Sequence, residues 1–470
     1  MVTVLGSTDT TSAISFGLAL LVCGMATAYR ISPAVAWKTV QCPPAPMIHF
    51  FLRQRFYYGW VIVGVLVVAG ISQVGEYNPA LAVFMNPLQR EFGWSRAEIA
   101  GVVALGTFGG AFVSPVAGWL LDRYGARWVL VGAQAVYGAG LIALSFMPDS
   151  LPFFFVAYGV GRAAVTGACF LAGQVAVANW FVLRRGSASG ILRMADRGSQ
   201  AVVPALLAFV VQRWGWRSGW LGLGMATWAV AILPTALLVR RRPETLGLLP
   251  DGVRPALSAG VGAVLEPVPP GEVSWTLREA LRTRSFWLLL LAGSATATVG
   301  PAFNLHFLPH MLDRGFPIGV AVGLVSLLYV AAALGSLAGG WLQDRYPLRQ
   351  VLSALLLVCA AGMAGMLVSP TLPYTVVFAL GYGFCFGGVT TLTYVIWTSY
   401  NGRDRAGAIA GAAQPLQFVL GSVSPVYGGW VFDQTGSYAA AFVLWSAALG
   451  IGAVAALTAR PPPRRANAAP

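Results

Sequence analysis

The stretch GWLLDRYGAR, from Gly118 to Arg127, occurs a second time as GWLQDRYPLR, from Gly340 to Arg349. Each copy follows a long apolar segment and places one aspartate among arginines where that segment ends. In a chain of 470 residues the two copies lie at corresponding places of the first and the second half. The repeat therefore indicates a protein built from two related halves.

The composition around the repeat is that of a membrane protein. Hydrophobic residues make up 57% of the chain and charged residues only 10%, whereas about a quarter of a soluble protein is charged. In a bilayer core the backbone finds hydrogen-bond partners only within its own segment or a closed barrel, and barrel strands are short and alternating. The long unbroken apolar runs here instead predict helices of about 20 residues.

Twelve membrane spans are predicted from the apolar runs, six in each half. Spans 1 to 6 run from Tyr58 to Pro87, Glu98 to Leu121, Trp128 to Met147, Leu151 to Val177, Ser187 to Val211, and Trp220 to Val239. Spans 7 to 12 run from Phe286 to Met311, Ile318 to Leu342, Val351 to Val368, Tyr374 to Trp397, Ala406 to Phe432, and Tyr438 to Leu457. We expect an all-α integral membrane protein of two pseudo-symmetric six-helix bundles.

The chain outside the spans sets the expected domain limits. Residues 47–242 form the N-terminal bundle, 243–284 a linker, 285–459 the C-terminal bundle and 460–470 a tail. The linker contains an amphipathic stretch, SWTLREALRT, that Ser274 could cap as a short surface helix. Residues 1–46 are an extension with three interpretations: a miscalled start with Met47 as the true one, an interfacial helix, or a further span.

The net charge of +14 raises the question of a nucleic-acid partner. Such a partner needs a clustered basic face, but the cations here are scattered between the apolar runs, so none is expected. With the repeated motif on one side of the membrane, 20 basic residues fall on that side and five on the other. Positive loops stay in the cytoplasm, which predicts an inner (plasma) membrane protein with both termini of the core cytoplasmic.

The motif pair, the twelve spans and the linker together resemble the major facilitator superfamily, over about residues 56–457. The resemblance implies that the motif latches an inner gate, with these residues: Gly118, Asp122, Arg123, Gly125 and Arg127, and Asp344 and Arg345 in the second copy. Asp122 can accept hydrogen bonds from the amides of a facing helix end. Pro347 replaces Gly125 in the second copy and excludes a positive φ there, so its latch is expected to be weaker.

Three further stretches resemble a branch of that family, the bacterial monocarboxylate and oxalate/formate porters. They are NWFVLRRGSASGI at residues 179–191, RRRPETLGLLPDG at 240–252 and WTLREALRTRSFW at 275–287. The resemblance implies a secondary active transporter that moves a small organic anion, in particular a monocarboxylate, by alternating access with proton coupling. The alternative is a proton-coupled exporter of drugs or hydrophobic compounds, which would need a wider apolar cavity.

Gly-x-x-x-Gly pairs occur in four spans that are equivalent in the family. They are Gly106 and Gly110 in span 2, Gly186 and Gly190 in span 5, Gly335 and Gly339 in span 8, and Gly407 and Gly411 in span 11. Small residues allow helix backbones to approach closely. The family fold implies that span 2 meets span 11, and span 5 meets span 8, between the two bundles.

Charged residues inside the spans are the candidate binding groups, because an ionised side chain in a bilayer is retained mainly where it faces a cavity or a partner. Arg162 in span 4 and Arg197 in span 5 both fall near the midplane. Arg193, Asp196, Arg197 and Gln200 share one face of span 5. The surplus of cations suits a carboxylate, which a guanidinium can bind through two parallel donors. A structural Arg-Asp-Arg network between spans 4 and 5 is the alternative.

Further polar residues complete the candidate site. Glu76 in span 1, together with Asp196, is predicted to carry the coupled proton, although a constant salt bridge or an exposed position would also explain Glu76. The predicted polar lining of the cavity comprises Asn304, His306, Gln414 and Gln417. Plain helix packing explains these four equally well.

Other protein classes find no support in these residues. His306 and His310 are one turn apart but have no carboxylate cluster nearby, so no metal is expected. The five cysteines are isolated, which argues against disulfides and Cys-x-x-Cys sites. The sequence offers no nucleophile-base constellation, so we expect no enzyme and no cofactor. The expected partners are a small-molecule substrate, protons and the lipid bilayer, and the expected state is a monomer.

Overall fold

The computed structural model describes residues 57–76, 78–252, 275–368 and 371–461, and all regular elements in these ranges are helical. The predicted extension at residues 1–46, the residue Ser274 and most of the C-terminal tail lie outside them.

The first half contains spans 1 to 6. Span 1 comprises Gly59–Ser72, a 3-10 turn at Gln73–Glu76, and Asn78–Phe92; span 2 is Arg96–Tyr124, and span 3 is Ala126–Ser145. Span 4 runs through Leu151–Ala164, a π-helical turn at Val165–Cys169, and Phe170–Trp180. Spans 5 and 6 follow as one helical run. It consists of Arg185–Ala226, a π-helical turn at Thr227–Ile232, and Leu233–Leu238. Gly215, at φ 83° and ψ 164°, interrupts the helix, so span 5 ends and span 6 begins there.

The second half contains spans 7 to 12. They are Arg284–Asp313, Ile318–Gln343, Leu348–Val368, Leu372–Asn401, Ala406–Thr435 and Ala439–Thr458. By length and composition, 11 helices in the described ranges could cross a membrane. Span 5 is not separately among them, because Arg193, Asp196 and Arg197 lower its hydropathy. The predicted all-α membrane fold is confirmed.

Local hydrogen bonds shift two predicted helix starts. Span 2 begins at Arg96, before the predicted Glu98, since the Glu98 amide donates to the Ser95 hydroxyl at 3.2 Å and the Ser95 amide donates to the Glu98 carboxylate at 2.7 Å. In the linker the short helix is Leu277–Ala280, and Thr276 caps it with the same reciprocal pattern to Glu279. The prediction of Ser274 as the cap was wrong, because Thr276 is the residue three positions before a glutamate.

The two halves meet where the family resemblance implied, span 2 against span 11 and span 5 against span 8. The backbones approach so closely that a side chain would not fit. A Cβ added to Gly118 would lie 2.3 Å from the carbonyl oxygen of Gly407, and one added to Gly186 would lie 2.2 Å from that of Gly340. Glycine at these four positions therefore sets the distance between the halves.

Only two of the four Gly-x-x-x-Gly pairs lie at this interface. Those of spans 5 and 11 do, since Gly190 approaches the carbonyl of Ser336 and Gly411 that of Ser114. The pair in span 2 instead packs against Arg162 and Thr166 of span 4, and the pair in span 8 against Phe384 and Gly388 of span 10. Spans 2 and 8 use a different face toward the other half, because each already packs against its own bundle through its glycine pair.

One added methyl group tests the contact of spans 5 and 8. Because a Cβ at Gly186 would lie 2.2 Å from a carbonyl oxygen, we expect Gly186→Ala to lower the melting temperature of the purified protein, although alanine favours a helix over glycine by about 1 kcal/mol. Gly198→Ala is the control in the same span, because a Cβ at Gly198 meets nothing within 4 Å. Its melting temperature should stay level or rise. Equal melting temperatures for both variants would contradict the contact.

Candidate functional site

Asp122, in the first copy of the motif, binds the start of span 11 in the other half. Its Oδ1 accepts a hydrogen bond from the Gly407 amide at 3.0 Å, and its Oδ2 accepts one from the Ala408 amide at 3.0 Å. These amides belong to the first turn of span 11, where N–H groups lack partners within the helix. A carboxylate at a helix N-terminus is further stabilised by the helix dipole. We call this contact the first latch.

Asp344 makes the equivalent contact from the second copy, and we call it the second latch. Its Oδ1 accepts from the Gly186 amide at 2.8 Å, and its Oδ2 accepts from the Ser187 amide at 2.9 Å and from the Ser187 hydroxyl. Burial raises the pKa of the Asp344 carboxyl, although the hydrogen bonds from Ser187 and Gly186 act to lower it. Pro347 was expected to weaken this latch, but the second latch has one hydrogen bond more than the first.

The arginines of the motif contact aromatic rings. The guanidinium of Arg123 lies 5.2 Å from the Trp119 ring centre, that of Arg127 lies 4.7 Å from Trp128, and that of Arg345 lies 3.8 Å from Trp341. The three tryptophans are exposed, as is usual for tryptophans in the headgroup layer of a membrane. Gly125 takes the positive φ of 83° that ends span 2. The latch contacts themselves are made by the aspartates.

Arg162 forms an ion pair with Glu76. Its Nη1 lies 2.9 Å from Glu76 Oε1 and also donates to the Glu76 backbone carbonyl, and its Nε donates to Thr107 Oγ1 at 2.8 Å. Glu76 is only 2% exposed and lies in the 3-10 turn that interrupts span 1. The pair thus joins spans 1, 2 and 4. Of the interpretations open for Glu76, the salt bridge to an arginine describes this structure.

The polar stripe of span 5 contains a second pair. Arg193 Nη1 lies 2.7 Å from Asp196 Oδ2, and the amide of Gln200 donates to the Asp196 backbone carbonyl at 3.2 Å. The guanidinium of Arg193 also stacks 4.1 Å from the ring centre of Tyr394 in span 10. Arg193 therefore reaches across to the other half and is neutralised by its own span. The predicted network between spans 4 and 5 is not formed, since Arg162 pairs with Glu76.

Arg197 has a different environment. It makes no hydrogen bond and no ion pair with any residue that the structure describes, and its guanidinium lies 6.0 Å from the ring centre of Phe386 in span 10. Phe386 in turn stacks on Tyr382, with ring centres 5.4 Å apart. All five N–H donors of this guanidinium are thus available. Spacing along span 5 could not predict these aromatic neighbours, because they lie on span 10.

The four predicted lining residues have mixed surroundings. His306 Nε2 lies 2.8 Å from the backbone carbonyl oxygen of Pro425, and its ring stacks on Trp445. Gln417 lies against Gly293, where a Cβ would approach its Nε2 to 2.6 Å. Gln414 is buried and Asn304 is exposed. For His306 and Gln417 helix packing, the alternative interpretation, describes the contacts. In the described ranges, no group of three or more His, Cys, Asp or Glu residues could hold a metal ion.

Two helical bundles that meet at glycine contacts, are latched by paired aspartates and retain ionic groups inside them define a polytopic membrane transporter. The family model of the Major Facilitator Superfamily matches residues 65–425. The chain belongs to this superfamily.

Relatives and solved structures agree with that assignment. The probable sulfoacetate transporter SauU of Cupriavidus necator is 26% identical over 435 residues, which cover 87% of this chain and 96% of SauU. Monocarboxylate transporter 11 of Mus musculus is 24% identical over 403 residues, covering 83% of this chain and 84% of the relative. The proton:xylose symporter XylE matches with a TM-score of 0.63 at 14% identity, covering 85% of this chain and 94% of XylE. The fucose transporter FucP in its outward conformation matches with a TM-score of 0.60 at 15% identity, covering 85% of this chain and 98% of FucP.

A double-mutant cycle tests the pair of Arg162 and Glu76. Arg162→Gln leaves a buried carboxylate without its partner, so we expect the free energy of unfolding to fall by about 3 kcal/mol. The double variant Glu76→Gln/Arg162→Gln should lose clearly less than the sum of the two single variants, as measured by denaturant unfolding in detergent. The exposed pair Glu91 and Arg217, 2.6 Å apart, is the control, and its coupling should be below about 1 kcal/mol. Additive effects at Arg162 and Glu76 would exclude their pairing.

Proposed function

We propose that the protein is a proton-coupled secondary transporter of small organic anions, with monocarboxylates as the substrate class. It works by alternating access, so that the two bundles expose a central site first on one side of the membrane and then on the other. The arginine distribution in the sequence supports an orientation with the motif side in the cytoplasm. We assign the two latches to an inner gate, and the contacts of both are formed in this structure.

The observation that carries the substrate class is that the guanidinium of Arg197, which lies 6.0 Å from the Phe386 ring centre, has no hydrogen-bond or ion-pair partner among the described residues. A cation inside a membrane protein is unfavourable by at least a few kcal/mol unless a counter-charge accompanies it. Glu76 neutralises Arg162 and Asp196 neutralises Arg193, which leaves a surplus of one positive charge, that of Arg197, on the polar stripe of span 5. A substrate with one carboxylate restores the balance and can accept two parallel hydrogen bonds. Gln200, one turn further along the same face, is proposed as a second donor.

The relatives support an anionic substrate. By their names, SauU is a probable transporter of sulfoacetate and the mouse protein a transporter of monocarboxylates. Both are small organic anions, sulfoacetate with a sulfonate and a carboxylate and a monocarboxylate with one carboxylate. At 26% and 24% identity these names support the class of substrate and leave the individual compound open. The aromatic rings beside Arg197 suit the apolar part of such a molecule.

The proposed proton site is Glu76. Its carboxylate is held by one arginine inside the bundle, where protonation would remove the charge and release Arg162 from the pair. A group that changes its partner on protonation can link the proton gradient to the position of spans 1 and 4. We therefore assign Arg162 to the proton site, and Arg197 with Gln200 to the substrate site.

Neutralising Arg197 tests the substrate assignment. We expect Arg197→Gln to reduce the uptake of labelled lactate, pyruvate and acetate into proteoliposomes by about 10- to 100-fold, the effect of losing a hydrogen-bonded charge pair. The measurement uses an inward-directed proton gradient and equal amounts of inserted protein. Arg217→Gln, which changes an exposed arginine paired with Glu91, is the control and should transport normally. Uptake by Arg197→Gln at the control level would remove Arg197 from the site, and export of hydrophobic dyes without carboxylate uptake would favour the exporter alternative.

Glu76→Gln separates proton coupling from substrate movement. An amide at this position mimics the protonated carboxyl, so exchange of labelled for unlabelled monocarboxylate across the membrane should continue. Accumulation driven by an imposed pH gradient should disappear, because the site no longer binds and releases a proton. Both are measured in the same proteoliposomes. If Glu76→Gln accumulates substrate with the same dependence on the pH gradient as the unchanged protein, the proton is carried elsewhere.

A further inference from the structure

Residues 242–251, which join the end of the N-terminal bundle to the start of the linker, contact both latch regions, and we call this segment the strap. At its C-terminal end, Asp251 accepts hydrogen bonds from the amides of Val182 and Leu183 at 2.8 Å each and of Arg184 at 3.0 Å. Span 5 begins directly after these amides, and the second latch holds the next amides of the same helix. The strap thus orders the loop that presents span 5 to Asp344.

The backbone of Asp251 supports a positioning role. Its φ of 59° makes it the one non-glycine residue with a positive φ in the part of the chain that the structure describes. A left-handed backbone is unfavourable for any residue with a Cβ, and a glycine would adopt it without cost. The aspartate is retained at this position, where its two carboxylate oxygens satisfy three consecutive amides.

At its N-terminal end the strap contacts the loop before span 11. Arg242 pairs with Asp404, and Glu244 pairs with Arg403. Arg403 also donates to the backbone carbonyl of Asn179 at the end of span 4, at 3.1 Å. These side chains are 19 to 49% exposed, so each pair alone contributes little. Arranged as two crossed pairs beside Gly407 and Ala408, they join the strap to the loop that presents the first latch.

We propose that the strap couples the two latches, so that they close and open together, with Asp251 as its positioning residue. This proposal rests on the alternating access proposed above. The two latches are related by pseudo-symmetry, whereas the strap occurs once in the chain. It contacts the loops before spans 5 and 11, the two helices whose first amides the latch aspartates bind. When the motif side closes, the loop before span 5 is already ordered by Asp251, so its conformational entropy is not lost again. The crossed ion pairs to the loop before span 11 then form together with both latches. Opening requires the crossed ion pairs to break along with both latches.

The proposal predicts that changing either end of the strap lowers the fraction of molecules that are closed on the motif side. Asp251→Asn cannot accept all three amide hydrogen bonds, so the loop before span 5 must be ordered each time the second latch forms. We expect it to raise the ratio of open to closed molecules on the motif side about tenfold. Glu244→Arg places two cations together, and we expect a rise of about fivefold, the effect of roughly one partly exposed pair.

Distances between spin labels at Tyr124 and Tyr346 measure this ratio without any substrate. These tyrosines are exposed, 41% and 55% respectively, and occupy the same place in the two motif copies, one in each half. Both are changed to cysteine in the full chain, with the native cysteines at positions 23, 42, 169, 359 and 385 replaced by serine. Pulsed electron paramagnetic resonance in lipid nanodiscs then gives the populations of short and long distances.

The controls separate the strap from general damage. Glu98→Gln makes the same chemical change at a carboxylate that also accepts a backbone amide, that of Ser95 at 2.7 Å, on the opposite side of the membrane; its distances should not change. Exchanging both partners, Glu244→Arg with Arg403→Glu or Arg242→Asp with Asp404→Arg, should return the short distance in at least one case. Unshifted distances in Asp251→Asn and Glu244→Arg, or no recovery in either exchanged pair, would overturn the proposal.

The test is independent of the proposed substrate. If no carboxylate is transported but the distances between the spin labels shift and recover as described, the coupling role of the strap is supported and the substrate assignment is wrong. If carboxylate transport depends on Arg197 but the distances ignore the strap, the transporter assignment stands and the strap is excluded.

Discussion

The need of buried helix ends for hydrogen-bond partners governs this structure. The first amides of a helix have no acceptor within it, and in a membrane protein water is not always at hand to replace one. Spans 5 and 11 solve this by receiving an aspartate from the opposite bundle. The aspartates reach those amides only because glycine faces glycine at the same level, Gly118 against Gly407 and Gly340 against Gly186. The capping of each helix end therefore depends on the close glycine packing beside it. The pseudo-symmetry of the halves repeats this combination once in each half.

The charges within the bundles follow a second constraint, that of neutrality. Two of the three arginines have a carboxylate within 3 Å, while Arg197 has none among the described residues. A protein can bury two opposite charges as a pair with little loss of stability, whereas one buried charge without a partner lowers its stability strongly. Arg193 and Arg197 are one helical turn apart on the same face, so their different surroundings arise from Asp196 and from the rings of span 10. This contrast gives the proposed substrate site its positive charge.

Much of this fold could be predicted from the sequence, because the signals concerned are local or repeated. Apolar length defined the spans, the motif copies defined the halves, and the type of residue at Asp122 indicated its amide partners. The partner of Arg162 was not predictable, since spacing along a span fixes a face but not the rotation of that face in the bundle. Thus Arg162 and Asp196 lie at similar depths and still do not pair. For the same reason, Gly106 and Gly335 were placed at the wrong interface.

The partners of His306 show a further limit. A histidine one turn from another, with glutamines on a neighbouring span, has the pattern of a polar cavity and equally that of two packed helices. The choice depends on whether a backbone carbonyl is free to accept a hydrogen bond. Here the carbonyl oxygen of Pro425 lies 2.8 Å from His306 Nε2, a contact that the spacing of residues along the chain does not reveal.

The strength of the latches is limited by the function they serve. Each latch consists of two or three hydrogen bonds to a carboxylate, which lie at the membrane edge where water and headgroups can replace them. Opening the motif side therefore exchanges partners and does not leave amides and carboxylates bare. In the proposed transport cycle, such an exchange keeps the closed and open states within roughly a few kcal/mol of each other, the range in which a bound substrate can shift the population from one state to the other. A latch built from apolar side chains would expose apolar surface to water on opening. No new partner would offset that loss of free energy, so the closed state would be favoured too strongly.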